Sequence, residues 1–164
     1  IYMSDNGYEL GEHRLYGKGL AYQEQIRSPM FVRYPRLVPL PRYDSSIVLN
    51  IDVAPTLAEL AGATPTLTVD GQSLVRVLDG TAPSWRTDFL TESWLQPLGA
   101  ELAGIRERDW VYSELKSGEQ ELYDLVNDPY ELNNVAYDPA HAARIAAMSA
   151  RIKQIRPTWP GDVP

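Results

Sequence analysis

Asp5 and Asn6 stand next to each other near the start of the chain, and Gly7 follows them. Their carboxylate and amide oxygens are hard ligands of the kind that Ca²⁺ and Mg²⁺ accept. The chain of 164 residues has no cysteine, and this segment offers no pair of imidazoles, so the donor set disfavours a soft transition metal. The same three residues are also typical of a plain surface turn, because Asp and Asn tolerate left-handed backbone geometry and Gly adopts it without steric cost.

The position of the pair favours the ligand interpretation. The three residues Ile1–Met3 are apolar, and we predict that they form the last part of a buried strand. Asp5 and Asn6 then leave the carboxyl end of that strand, which is where open α/β sheets place their ligand sites.

A lysine flanked by two glycines follows, at Gly17, Lys18 and Gly19. The glycines allow the backbone to approach a ligand closely, and the ammonium group would then face an anion. The alternative is a solvated lysine in a flexible loop, which is the commoner situation for this residue type. From the residues alone, both interpretations stay open.

Helices are predicted around these residues from local signals. Asp52 is of the type that caps a helix N-terminus, Pro55 falls in the first turn, where it removes no intrahelical bond, and Gly62 ends the helix. A second, short helix is predicted over residues 73–78, whereas residues 7–25 are predicted to be a loop.

Beyond residues 81–84 the pattern changes to short strands rich in aromatic and β-branched residues, with hairpin-length gaps, which indicates an antiparallel meander. The predicted strands cover residues 88–94, 103–106, 110–113 and 120–125. A last helix is predicted to begin with Asp138 as its cap and Pro139 at its first position. Its apolar stripe should lie on the meander and consists of Ile145, Met148, Ile152 and Ile155.

Several segments, in this order along nearly the whole chain, resemble the second half of a sulfatase. The segments are Ser4–His13, Gly17–Gly19, Ile26–Pro29, Asn50–Leu57, Glu121–Leu125 and Asp128–Glu131. The resemblance is to arylsulfatase-like members of the alkaline-phosphatase-like superfamily. It implies an α/β fold: residues 1–82 would be the C-terminal part of a mixed sheet flanked by helices in the catalytic domain. Residues 83–164 would be a small antiparallel sheet packed on a C-terminal helix.

The resemblance also implies roles for individual residues. Asp5 and Asn6 match two ligands of a Ca²⁺ ion, with Mg²⁺ as the alternative, and Lys18 matches the lysine that touches the sulfate group. His13 either contacts the substrate and donates a proton, or holds the loop in place through a hydrogen bond. Glu9 and Glu12 are expected to be solvated or ion-paired rather than catalytic.

One feature of the family is missing from the sequence. Its nucleophile is a formylglycine made from Cys or Ser in a Cys/Ser-X-Pro-X-Arg motif of the N-terminal half, and this chain has no such pentapeptide. The chain therefore resembles a sulfatase that lacks the nucleophile-bearing half, and we expect the remaining cation ligands and the formylglycine to come from that half. By itself the chain is expected to be inactive.

Composition limits the partners. The formal net charge of −7 argues against non-specific nucleic-acid binding, which needs clustered Lys and Arg, but a local cationic pocket still accommodates a small anion. No apolar run approaches the ~20 residues of a membrane span, and the compartment stays open. The expected substrate is a small-molecule or carbohydrate sulfate ester. The alternatives are a phosphonate or phosphate monoester hydrolase of the same superfamily and a truncated, non-catalytic module.

Overall fold

The computed structural model of the chain describes residues 1–82, 84–95 and 100–157, with only the backbone described at residues 94, 95 and 100. The strands, in chain order, are β1 (Tyr2–Met3), β2 (Glu9–Leu10), β3 (Tyr16–Gly17), β4 (Met30–Phe31), β5 (Asp88–Leu95), β6 (Ala100–Glu107), β7 (Trp110–Leu115) and β8 (Gln120–Asp124). The helices are α1 (Gln23–Ile26), α2 (Val53–Leu60), α3 (Val75–Leu78) and α4 (Ala142–Ile155).

The chain forms two compact units, each built from two segments. The first unit contains residues 1–5 and 30–86, and the second contains residues 6–29 and 87–164. The segment 6–29, which the sequence-based division placed with residues 30–82, thus shares a unit with the C-terminal segment. The proposed division between catalytic domain and C-terminal subdomain at residues 82 and 83 stays a prediction, and Pro83 itself lies outside the described residues.

In the first unit, β1 pairs antiparallel with β4, so that Tyr2 lies opposite Phe31. The predicted strand is present, but the prediction that it is buried was wrong. Tyr2 is 71% exposed and Phe31 is 64% exposed, although their rings lie 6.1 Å apart. The ribbon has only two strands of two residues, which is too small a sheet to bury its own faces.

The helix α2 is held by a buried polar side chain on its inner face. Thr56 is 1% exposed, donates from Oγ1 to the carbonyl of Asp52 at 2.6 Å, and accepts the Leu74 N–H at 2.8 Å. This second hydrogen bond joins α2 to the residue that precedes α3. The helix ends as predicted near Gly62, which has a φ of 67°.

Asp52 does not cap α2 with its side chain, which corrects the sequence-based prediction. Its carboxylate is fully buried and accepts the backbone N–H groups of Leu49 and Gln72, each at 2.8 Å. Arg86 donates to both carboxylate oxygens, and its bond to Oδ1 measures 2.7 Å. A buried charge needs a partner of this kind, so Asp52 joins three segments of the first unit.

The second unit contains the predicted antiparallel meander, with strand order β5-β6-β7-β8. The helix α4 packs on one face of this sheet. Asp138 caps the 3₁₀ turn Pro139–His141 that leads directly into α4, because its side chain accepts the Ala140 N–H at 2.9 Å. The stripe of α4 is buried at Met148 and Ile152, whereas Ile155 is 41% exposed. The core beneath it contains Ala103, Ile105, Tyr112, Leu122 and Ala136.

The predicted fold class is confirmed. The chain is a mixed α/β structure with a small antiparallel sheet that packs on a C-terminal helix. Within the described part of the chain, no helix combines the length and apolar character that crossing a membrane requires.

Candidate functional site

Lys18 is presented by a short hairpin in the second unit. The strands β2 and β3 pair antiparallel, with Glu9 opposite Gly17, and Lys18 follows directly after β3. Gly17 has a φ of 131° and Gly19 a φ of 126°, a backbone conformation that residues with a side chain rarely adopt. The two glycines are therefore required by the local backbone geometry around Lys18.

A buried glutamine holds this loop. Gln25 is 5% exposed, and its Oε1 accepts the N–H groups of Gly19 at 2.5 Å and Leu20 at 2.6 Å. Its Nε2 donates to Glu9 Oε1 at 2.6 Å. Glu9 is fully buried, so the expectation that it is solvated or paired with an arginine was wrong. The amide dipole of Gln25 bridges a carboxylate and two backbone donors, which fixes the segment that follows Lys18.

Asn6 is tied into the same loop. Gly7 donates its N–H to the Gln25 carbonyl at 2.7 Å, and a Cβ at Gly7 would lie 1.8 Å from the Glu24 carbonyl oxygen. Only glycine allows this close approach. The structure therefore gives a physical reason for the glycine after Asn6 that is independent of turn chemistry.

The Lys18 ammonium and the Asn6 side chain meet in the second unit. Lys18 Nζ donates to Asn6 Oδ1 at 3.0 Å, and Asn6 Nδ2 donates to the Gly7 carbonyl at 2.6 Å. The amide group is thereby oriented with its oxygen toward the ammonium group. Two of the predicted site residues, twelve positions apart, thus lie in direct contact.

Asp5 belongs to the first unit. It is exposed, and Ser4 Oγ donates to its Oδ1 at 3.4 Å. As a carboxylate that follows β1 and precedes Asn6 in sequence, it is an oxygen donor of the type that a hard cation takes. The Asn6 side chain adds an amide oxygen, and carboxylate and amide oxygens are the ligand types that Ca²⁺ takes in proteins. The role of this pair stays a prediction.

His13 lies against the aromatic ring of Tyr22. The ring centroids are 3.9 Å apart with an interplanar angle of 9°, and His13 Nε2 lies 3.4 Å from Glu24 Oε2. Tyr22 is itself fixed by a hydrogen bond from its hydroxyl group to Glu121 Oε1 at 3.0 Å. These contacts hold the loop in place. A contact between His13 and the substrate stays a prediction.

Glu131 is a buried acid that lies beside His13 and Glu24. It is 2% exposed and has a φ of 53°, which is an uncommon backbone conformation for a residue other than glycine. Its Oε2 accepts the Gln23 N–H at 2.8 Å, whereas its Oε1 is buried without a hydrogen-bond partner. Burial raises the pKa of Glu131 to about 7, against the opposing effect of the Gln23 N–H.

Charged neighbours on other elements also act on this pKa. The carboxylates of Glu24 on α1 and Glu121 on β8 raise the pKa of Glu131, and Arg106 on β6 lowers it. Burial also raises the pKa of Glu121 and lowers that of Arg106, whose NH2 donates to Gln23 Oε1 at 3.2 Å. The environment therefore favours the neutral form of Glu131.

We expect the free energy of unfolding to fall between pH 4.5 and about 7 because of Glu131. Its ordinary pKa is 4.5 and its native pKa is about 7, so in this window the unfolded chain loses a proton that the native protein keeps. The stabilisation is complete below pH 4.5 and is lost as the pH passes 7, and at about 1.4 kcal/mol per pKa unit it amounts to about 3 kcal/mol.

Urea unfolding of chelator-treated protein across this pH range, compared with Glu131→Gln, measures the effect. The variant should lack this part of the pH dependence, and the control Glu59→Gln, on the exposed side of α2, should keep it. Parallel pH profiles for the wild type and Glu131→Gln would contradict the assignment.

A groove of about 590 Å³ runs along α4 in the second unit. It contains His141, whose ring lies 5.4 Å from that of Trp110, and Arg144, which lies 4.3 Å above the same Trp110 ring. None of the four predicted site residues lines it. The groove is a packing feature of the sheet–helix layer.

The fold and the family comparison define the class of the protein. The model of the family "N-sulphoglucosamine sulphohydrolase, C-terminal" matches residues 11–158, and the chain belongs to this family of sulfatases. The match covers β3 and Lys18, the meander and α4, and it begins after β2.

Individual relatives agree with this class. An N-acetylglucosamine-6-O-sulfatase from Bacteroides thetaiotaomicron is 33% identical over 145 residues, which cover 82% of this chain and 26% of the relative. The structure of BT4656 in complex with its substrate D-glucosamine-2-N,6-O-disulfate is similar with a TM-score of 0.86 and 29% identity. The alignment covers 95% of this chain and 33% of BT4656.

A third similarity is to an enzyme with another reaction. The phosphonate monoester hydrolase of Agrobacterium radiobacter has a TM-score of 0.86 and 28% identity, over 94% of this chain and 34% of that enzyme. The chain thus spans between a quarter and about a third of the length of these relatives.

Proposed function

We propose that this chain is the C-terminal portion of a sulfuric ester hydrolase and that Asp5, Asn6 and Lys18 form its share of the active site. The observation that carries the proposal is the 3.0 Å contact between Lys18 Nζ and Asn6 Oδ1. In this contact an ammonium group lies beside one of the two proposed oxygen donors, in a chain that belongs to the sulfatases.

Lys18 supplies positive charge where the reaction needs it. When a sulfuryl group is transferred, negative charge is spread over its non-bridging oxygens and the leaving oxygen, and positioned cations stabilise this charge most effectively. The hydrogen bonds from Gly19 and Leu20 to Gln25 hold the loop next to Lys18.

Asp5 and Asn6 would hold a Ca²⁺ ion, or Mg²⁺ as the alternative. Such an ion supplies electrostatic stabilisation of the sulfate oxygens when it is bound. Ca²⁺ takes six to eight oxygen ligands, so the pair supplies only part of a complete set. The remaining ligands, and a formylglycine nucleophile, would come from the N-terminal half of the same enzyme.

Of the two roles open for His13, we favour the positioning of the loop. Its ring stacks on Tyr22 and its Nε2 lies beside Glu24, so both the ring face and this nitrogen are engaged within the protein. A direct catalytic role for His13 would require these contacts to be exchanged for substrate.

A sulfated carbohydrate is the substrate class that we propose. The support is the similarity to BT4656, whose structure holds D-glucosamine-2-N,6-O-disulfate, and to an N-acetylglucosamine-6-O-sulfatase. The test of the reaction class is the hydrolysis of paired sulfate and phosphate monoesters of one alcohol by the complete polypeptide.

Hydrolysis of a phosphonate or phosphate monoester is the second candidate. It is favoured by the similarity to the phosphonate monoester hydrolase of Agrobacterium radiobacter. Relatives of that type usually have Asp-His where this chain has Asp5 and Asn6, and a neutral amide in place of an imidazole suits a hard cation. Asn6 therefore weighs toward the sulfate ester.

A further inference from the structure

Three metal-ligating side chains converge in the second unit, on residues other than Asp5 and Asn6. Among the residues that the structure describes, His13, Glu24 and Glu131 form a group whose ligand atoms all lie within 4.8 Å of one another. They come from three separate places in the chain: the turn after β2, the helix α1 and the loop that follows β8. Proximity of two carboxylates and an imidazole is the first sign of a cation site.

Unpartnered buried oxygens are the second and independent sign. Glu131 is 2% exposed, and its Oε1 has no hydrogen-bond partner. Glu24 Oε2 is also buried and makes no hydrogen bond, although His13 Nε2 lies 3.4 Å away. A buried carboxylate oxygen without a donor is costly, and here two of them lie in one cluster.

Arg106, whose charge acts on Glu131, does not donate to the unpartnered Glu131 oxygen. Arg106 lies close enough to affect the pKa of Glu131, but its NH2 donates to Gln23 Oε1 at 3.2 Å. Glu131 Oε2 already accepts the Gln23 N–H. Among the described residues, no group donates to the remaining oxygen of Glu131.

The geometry suits a small divalent ion. Two ligand atoms that each lie about 2.1 Å from one Zn²⁺ ion are at most about 4.2 Å apart, and about 3.4 Å apart in a tetrahedron. The His13 Nε2 to Glu24 Oε2 separation of 3.4 Å already has this value. The ligand atoms of the whole group lie within 4.8 Å of one another. Side-chain movements of less than about 1 Å bring them to the separation that a bound Zn²⁺ ion requires.

The ring of His13 is held ready for such a role. Stacking on Tyr22 fixes its plane, and the Tyr22 hydroxyl group is anchored on Glu121. A fixed ring plane lowers the cost of orienting the imidazole when it binds an ion.

We propose that His13, Glu24 and Glu131 together bind one divalent cation of the zinc class, at a site distinct from the Asp5 and Asn6 pair. One imidazole and two carboxylates are a ligand set for Zn²⁺ rather than Ca²⁺, which takes oxygen ligands only. Three protein ligands leave a fourth position for water. The bound ion joins the loop that carries Lys18 to the loop that follows β8.

The experiment is a Zn²⁺ titration of the complete polypeptide, stripped with a chelator and kept in saturating Ca²⁺, in competition with a chromophoric chelator. We expect one equivalent of Zn²⁺ with a Kd of about 1 µM or below. Saturation should also raise the Tm by several degrees, because the ion binds only the native state.

Matched variants identify the ligands. Glu131→Gln and His13→Gln should each weaken Zn²⁺ binding about 100-fold. Glu24→Gln changes the third proposed ligand, at a side chain that is 22% exposed, where a replacement disturbs folding less. The control His141→Gln changes the other of the two histidines and should bind Zn²⁺ as the wild type does.

The outcome separates this site from the proposed active site. The double variant Asp5→Ala/Asn6→Ala should retain the Zn²⁺ affinity while it loses sulfatase activity. The absence of a stoichiometric Zn²⁺ site, equal binding by the wild type and Glu131→Gln, or loss of Zn²⁺ binding in the Asp5→Ala/Asn6→Ala variant would each overturn the inference. Zn²⁺ binding by a wild-type protein that shows no sulfatase activity would count against the proposed function alone.

Discussion

Replacing Lys18 by alanine in the complete enzyme should lower kcat/KM for a sulfate ester about 10²- to 10³-fold, which corresponds to roughly 3–4 kcal/mol. The ammonium group lies 3.0 Å from Asn6 Oδ1 and is held by a loop with two glycines at positive φ and two hydrogen bonds to Gln25. Loss of a positioned cation removes stabilisation that develops in the transition state, so most of the effect should appear in kcat.

The matched control is Lys153→Ala, which removes an exposed ammonium group from α4. It should leave kcat/KM within about twofold of the wild type, since a solvated charge far from the reacting atoms is screened by salt. Equal activities of Lys18→Ala and Lys153→Ala would show that Lys18 is a solvated surface residue. The free energy of unfolding should be close to that of the wild type in both variants.

Replacing Arg86 by methionine should lower the free energy of unfolding by about 3–5 kcal/mol. Arg86 is the partner of Asp52, whose side chain has no exposed surface, and its own side chain is 10% exposed. Removal of the guanidinium group leaves a buried carboxylate with only the Leu49 and Gln72 N–H groups as donors. For a protein with a stability of about 5–15 kcal/mol, this is a large fraction.

Urea unfolding of Arg86→Met and of the control Arg76→Met measures this effect. Arg76 is exposed on α3, and its replacement should change stability by no more than about 0.5 kcal/mol. The double variant Asp52→Asn/Arg86→Met removes the stranded charge and should recover part of the loss. If Arg86→Met is as stable as Arg76→Met, the ion pair does not hold the first unit together.

The parts of the fold that were predicted correctly have signals within a few residues of each other. Asp138 and Pro139 mark the 3₁₀ turn that leads into the last helix, and the spacing of Met148 and Ile152 marks its buried face; both are observed. The four strands of the meander follow from their composition and short gaps. Local chemistry decided these elements, so the sequence was sufficient.

The parts that were missed depend on partners far away in the sequence. Glu9 is buried because Gln25, sixteen residues on, donates to it, and Glu131 accepts a hydrogen bond from Gln23, 108 residues away. Glutamate seldom adopts a left-handed backbone conformation, so the residue type at position 131 does not indicate the one observed there. Asp52 is of a type that suits a helix cap, and only the position of Arg86 makes it a buried ion pair.

The candidate site was partly accessible from the sequence. The glycines around Lys18 and the adjacent oxygen donors marked the two segments from which the site is predicted, and the structure adds the direct contact between Lys18 and Asn6. The convergence of His13 with Glu24 and Glu131 was not foreseen, because neither His13 nor Glu24 is close to Glu131 in sequence and their spacing matches no local ligand pattern.

The most direct test of the central claim is the ratio of kcat/KM for the sulfate and phosphate monoesters of 4-nitrophenol, measured on the complete polypeptide with Ca²⁺ and an intact formylglycine. The account predicts a preference for the sulfate ester of at least about tenfold, or about 1.4 kcal/mol. It also predicts that this preference is lost when Asp5 and Asn6 are replaced by alanine. A higher kcat/KM for the phosphate ester, or a sulfate ester rate no greater than that without enzyme, would contradict the account.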